Sequence, residues 1–168
     1  VKTGLLITEG FRAVYEARGW ARPEATELID PFYRKPPLLA PHSLTHGIPG
    51  RIDYQGAELE ALDEDAVRVA ARALMADGVE SVAVSYLFSF QNPAHEQRTA
   101  EILAEESEDW RVSLSSVVLP TIREYPRQST TVIDAYVGPI MQRYLERLSG
   151  RLVERGVVTP QVFLMQSN

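Results

Sequence analysis

The chain has 168 residues, 45% of them hydrophobic and 24% charged, which predicts one globular domain able to bury its own core. It contains no cysteine, which excludes disulfides, thiolate metal sites and a cysteine nucleophile. A formal net charge of −6 with no cluster of Lys and Arg argues against a nucleic-acid surface.

The longest apolar runs, such as 82–90, are too short for a helix to span a bilayer, and the start lacks a signal-peptide pattern. No membrane and no nucleic-acid partner is expected, and the absence of cysteine fits a reducing, cytoplasmic setting. Val1 enters an apolar run directly, and 161–168 reads as a strand stopping where a loop should begin. A piece of a longer protein is therefore expected.

Leu5, Leu6 and Ile7 make a short strand or the approach to a helix. Thr8 is a candidate N-cap, with Phe11, Val14 and Tyr15 on a helical face that Gly19 closes. Six prolines between 21 and 50 forbid a long helix or a central strand there. That stretch reads as an extended excursion over the surface, anchored by Phe32, Tyr33, Leu38 and Leu39. His42 and His46 lie four apart within it, without the third ligand that a metal site needs. Residues 51–59 read as a hairpin turning at Gln55 and Gly56.

Asp63 then caps a helix whose buried face is Val67, Ala70, Ala71, Leu74 and Met75, closed by Gly78. Residues 79–88 form a near-continuous apolar run, as in a strand buried on both faces. Asn92 as N-cap and Pro93 at the first position start the next helix, 94–106, with His95 and Glu96 an exposed pair in its first turn. A strand over 111–118 leads into 119–145, the stretch around which the rest is organised. Its first half reads as a polar loop holding Arg123, Glu124, Arg127, Ser129, Thr130 and Thr131. Its second half opens a long amphipathic helix capped by Ser129 or Thr130, ending at Gly156 and kinked at Gly138 and Pro139.

The apolar face of that helix is Ile133, Tyr136, Val137, Ile140, Met141, Tyr144, Leu145, Leu148 and Leu152, and 161–165 is a further strand. Alternating helix and strand from 63 to 166 predicts an α/β fold with a partly parallel sheet and right-handed crossover helices, after a Pro-rich N-terminal excursion. Residues 1–62 hold the helix, the excursion and the hairpin; 63–168 hold the α/β unit. In such sheets ligands bind beyond the carboxyl ends of the strands, and the loops 89–92, 120–129 and 166–168 qualify. Arg123, Glu124 and Arg127 either clamp a carboxylate or phosphate or form a solvated, salt-bridged loop. The glycine-rich phosphate loops of nucleotide-binding proteins are absent from this stretch.

Residues 119–139 (LPTIREYPRQSTTVIDAYVGP) resemble the corresponding segment of the hydantoinase A family. That family takes in N-methylhydantoinases, ATP-dependent 5-oxoprolinases and subunits of acetone and acetophenone carboxylases. Four further strings agree in the family's order: GLLITEGFR at 4–12, SFQNPAHE at 89–96, SLSS at 113–116 and LMQSN at 164–168. The Pro-rich stretch agrees mainly in character, through KPPL at 35–38 and IPGRID at 48–53. Many members carry Glu-Arg where this chain has Gly50-Arg51.

The resemblance implies a fragment of an actin/Hsp70-like ATPase-type subunit. The implied chemistry opens a hydantoin or lactam ring by phosphorylation of the cyclic amide followed by attack of water. ATP and Mg are then cofactors of the full-length enzyme, with neither expected on this fragment. A hydantoinase B-type subunit or domain is the implied protein partner, and a cyclic amide the small-molecule one. Together with their place at the strand ends, the resemblance makes Arg123, Glu124, Arg127, Ser129 and Thr130 candidates for one wall of the substrate site, followed by Asn92 and His95. The alternative is a non-catalytic module for packing against another subunit.

Overall fold

A computed structural model describes residues 1–17, 32, 36–157, 161, 163 and 165. Its main sheet has four parallel strands in the order β2-β1-β5-β6: β1 Thr3–Thr8, β2 Thr45–Ile48, β5 Ser81–Ser85 and β6 Arg111–Leu114. Every residue of β1 and β5 is buried, because both central strands are covered on two faces. Alternate side chains separate the faces. Leu6, Val82 and Val84 pack against Val67, Ala71 and Leu74 of α2 (Glu64–Ala76) and Ile102 and Leu103 of α3 (Ala94–Glu106). Leu5, Ile7 and Ala83 pack against Tyr15 of α1 (Ala13–Ala17) and Val132 and Ala135 of α5 (Glu124–Glu154). The result is a three-layer α/β/α sandwich, as the alternation of elements predicts.

Local signals hold where they are complete. The Asp63 carboxylate accepts from the Ala66 N–H at 2.9 Å, and Gly78 follows α2 at φ +71. Asn92 Oδ1 accepts from Ala94 N–H at 3.1 Å, but α3 starts at Ala94, so Pro93 and not Asn92 takes the N-cap position. The hairpin also forms, as antiparallel β3 (Arg51–Ile52) and β4 (Glu58–Glu60). Gly50 enters it at φ +137, where an added Cβ would lie 3.1 Å from Leu62 Cα and 3.3 Å from His95 Nδ1. A glutamate at this position would need a different backbone.

Several expectations need correction. Thr8 ends β1 and caps no helix; its side chain accepts from Leu87 N–H at 3.0 Å instead. Residues 45–48 do not wrap the surface but form an edge strand between Pro41 and Pro49, where missing N–H groups are tolerated. Met75 is not buried with the rest of its helix face. The strand from 111 ends at Leu114, and Ser115–Val118 turn into a short helix, α4. The expected helix closure at Gly19, the anchor Tyr33 and the loop 166–168 lie outside the described residues, as does most of the strand over 161–165.

The largest correction concerns 119–145. Helix α5 begins at Glu124, so Arg127, Ser129, Thr130 and Thr131 are helical and neither Ser129 nor Thr130 is its N-cap. Its buried face is Arg127, Gln128, Thr131, Val132 and Ala135. The expected apolar stripe is only half covered, with Ile133, Val137, Ile140, Met141 and Tyr144 each 39–51% exposed. The helix continues through Pro139, and Gly156 follows its end at φ +77. Gly138 leaves room for the Arg111 side chain, which a Cβ would overlap.

His46, on edge strand β2, has a ring Nε2 without a hydrogen-bond partner among the described residues. Burial pulls its pKa below the ordinary value of 6.5, and the Arg12 guanidinium adds to this while Asp77 opposes it. The folded chain therefore binds this proton less readily than the unfolded one. Stability from a neutral His46 is complete above pH ~6.5 and drains away as pH falls from there through the depressed value. Urea unfolding at pH 8, 6 and 5 should show that decline, and His46→Phe should flatten part of it; an identical slope in the variant contradicts the assignment.

Candidate functional site

The carboxyl ends of the strands are organised by two buried charges. Glu96, on the first turn of α3, is fully buried rather than exposed. Its Oε1 accepts from Tyr86 N–H at 2.9 Å and from Ser115 Oγ–H at 2.6 Å, and its Oε2 accepts from Ser116 N–H at 2.8 Å. One carboxylate thus ties the exit of β5 to the start of α4, where free first-turn N–H groups favour a negative charge.

Arg127 is the second charge and is also fully buried. Its guanidinium donates to Tyr86 O at 2.8 Å, Thr121 O at 3.1 Å and Ser115 Oγ at 3.2 Å. Phe90 stacks 5.3 Å from its Cζ, and Glu124 lies 3.9 Å away. Burial lowers its pKa, with Glu124 and Glu96 opposing, and an arginine so placed stays protonated. Planar fork geometry lets one side chain hold three elements together. Arg127 is therefore an internal brace under the loop, with its side chain turned from solvent.

Above this brace lies a cleft of about 470 Å³ lined by Phe11, Val14, Leu87, Arg123, Glu124, Tyr125 and Pro126. Thr8 and Leu87 join the ends of β1 and β5 at its base. Arg51 lies over the Phe11 ring at 5.2 Å. Arg123 stands at the N-terminus of α5 with φ +78, a region that non-glycine residues rarely adopt. The first-turn N–H groups of Glu124 and Tyr125 have no helical carbonyl to bond. The cleft therefore combines an apolar wall with a cation, a carboxylate and backbone donors, a combination suited to a small polar ring.

The sequence-predicted residues divide into three groups. Arg123 and Glu124 share the cleft, and Arg127 supports it from below. Ser129 donates to Pro126 O at 3.1 Å one turn along the helix, and Thr130 is exposed beside it; neither lines the cleft. Asn92 and His95 hold the hairpin instead. Asn92 Nδ2 donates to Gly56 O at 2.9 Å, and His95 Nε2 pairs with Glu58 at 3.0 Å. Phe11, Val14 and Leu87 were missed as lining residues because apolar side chains near strand ends read as core.

Among the described residues no three His, Asp or Glu side chains converge as a metal site. The loops 86–92 and 119–123 contain no glycine to cradle a phosphate chain. No described helix is long and apolar enough to cross a membrane.

Comparison with known proteins shows the family. The sequence profile of the hydantoinase/oxoprolinase N-terminal region matches residues 1–107. The chain is 38% identical over its full length to the caprolactamase subunit alpha of Pseudomonas jessenii, covering 24% of that protein. It is 34% identical to the acetophenone carboxylase gamma subunit of Aromatoleum aromaticum, over 92% of this chain and 22% of the relative. The crystal structure of the ATP-dependent caprolactamase from Pseudomonas jessenii superposes with a TM-score of 0.87, over 95% of this chain and 23% of that one. The chain thus spans about a quarter of the length of the curated relatives it matches.

Proposed function

This chain belongs to the hydantoinase/oxoprolinase family, and on that premise we propose that it forms one wall of the substrate cleft in a longer, ATP-dependent enzyme. The enzyme opens a cyclic amide, a lactam or hydantoin, by phosphorylating it and then admitting water at the activated carbon. It is an actin/Hsp70-like ATPase-type subunit that works with Mg²⁺ and a hydantoinase B-type partner in the cytoplasm. ATP and its metal bind elsewhere on that polypeptide.

The observation that carries this reading is the cleft at the carboxyl ends of β1 and β5, where Arg123 and Glu124 face Phe11, Val14 and Leu87. An apolar wall accepts the methylene side of the ring. The Arg123 guanidinium supplies donors to a ring carbonyl or carboxylate, and the Glu124 carboxylate accepts from a ring N–H. Arg127 keeps the segment 121–127 fixed on the sheet, so the polar groups are positioned before substrate arrives. Ser129 and Thr130 lie along α5 outside the cleft, and Asn92 and His95 hold the hairpin rather than the wall.

Replacing Arg123 by alanine in the full-length enzyme should lower kcat/KM about 10- to 100-fold, the loss of one charge-assisted contact. Thermal unfolding should stay unchanged, because the side chain lines an open cleft. Wild-type kinetics in Arg123→Ala would remove the cleft from the substrate path.

A further inference from the structure

Helix α5 runs antiparallel to the strands and leaves the sheet near Gly138, where it passes Arg111 at the start of β6. Beyond that point no residue of the helix is buried. Sixteen residues, 139–154, continue for about 24 Å at the helical rise. This arm is not polar. Val137, Ile140, Met141 and Tyr144 are 39–50% exposed on adjacent faces, and Leu148 continues the stripe. Val137, Met141 and Leu145 floor a groove of about 650 Å³ beside β6. Arg143, Arg147 and Arg151 follow one another at four-residue spacing along the stripe's border. A run of exposed apolar residues at helical period marks a face made to be covered.

The solved caprolactamase matches 95% of this chain, yet the match accounts for only 23% of that polypeptide. Three quarters of such a chain lies outside the fold described here and is available to cover the arm. We propose that the face Val137–Ile140–Met141–Tyr144–Leu148 is the docking surface for another domain of the same polypeptide, one presenting an apolar patch bordered by acidic side chains to meet Arg147 and Arg151. This rests on the reading that the chain is part of a longer enzyme. The arm thereby couples the cleft end of α5 to that domain through one continuous helix.

Hydroxyl-radical footprinting of the full-length polypeptide, without its partner subunit, tests this with internal references. Met75 and Tyr54 are exposed here to an extent similar to or greater than Met141 and Tyr144. Met141 should oxidise at least about tenfold more slowly than Met75, and Tyr144 than Tyr54, at every protein concentration. Equal rates would mean an uncovered arm. Protection gained only on adding the partner subunit, or lost on hundredfold dilution, would assign the face to that subunit or to a second copy. Each of those results overturns the proposal. Footprinting does not depend on ATP turnover, so protection in an inactive polypeptide would fail the functional reading alone.

Discussion

Truncating Arg127 to alanine should cost about 3–5 kcal/mol, because it strands the partners of a fully buried charge. Thr121 O loses its donor, Tyr86 O keeps only the longer bond from Ser89 N–H at 3.4 Å, and Ser115 loses one of its bonds. The Phe90 ring loses its cation and a space opens beneath the cleft. For a chain of this length the loss corresponds to a fall in Tm of roughly 6–20 °C. Arg127→Lys should recover only part, since an ammonium is a point charge and cannot reach three acceptors set around a planar fork. Thermal unfolding of wild type and both variants measures this. A loss under ~1 kcal/mol in the alanine variant would show that the brace is dispensable.

Glu96→Gln should be the second most damaging conservative change, at about 2–4 kcal/mol. The shape is kept, but one acceptor oxygen becomes an NH₂ group. Both oxygens of Glu96 already face donors, Tyr86 N–H and Ser115 Oγ–H on one and Ser116 N–H on the other. Either orientation of the amide sets donor against donor in a site without water access. Glu101→Gln is the matched control: Glu101 pairs with Arg98 at 2.7 Å but is solvent-exposed, so its loss should stay below ~1 kcal/mol. Glu96 and Arg127 meet on the same Ser115 hydroxyl, so the double variant should lose less than the sum of the singles. Additive losses would show that the two charges act separately.

These two residues also show where sequence reasoning succeeds and fails. Features fixed by near neighbours were legible: Asp63 as a cap, Asn92 and Pro93 at a helix start, and the buried run that becomes β5. The parallel sheet followed from the order of such elements. The start of α5 was not legible, because its N-cap is an arginine at positive φ and Pro126 stands in its first turn. A hydroxyl-rich, charged stretch reads as a loop, and only partners 12 and 41 residues away in sequence make Arg127 affordable in the interior. Glu96 was read as exposed for the same reason: its donors lie on other elements.

The candidate cleft was half visible. Its polar rim, Arg123 and Glu124, was picked out from position at the strand ends and from the family resemblance. Its apolar wall was invisible because Phe11, Val14 and Leu87 look like ordinary core residues until the strand exits are placed. Ser129 and Thr130 were drawn in by adjacency in sequence, which a helix disperses around its circumference. The stripe on α5 was read correctly as apolar and helical, but it is half exposed where it was expected to be buried.

The central claim is that the full-length protein spends ATP to open a cyclic amide against a cleft that this chain helps to wall. The direct measurement is ATP hydrolysis by that protein with its partner subunit, offered a lactam, 5-oxoproline, a hydantoin, or a ketone with bicarbonate. The account predicts ATP turnover stimulated by a cyclic amide, with the ring-opened acid formed in step, and with that stimulation lost in Arg123→Ala. Turnover stimulated only by the ketone and bicarbonate, or ring opening that proceeds without ATP, would contradict it.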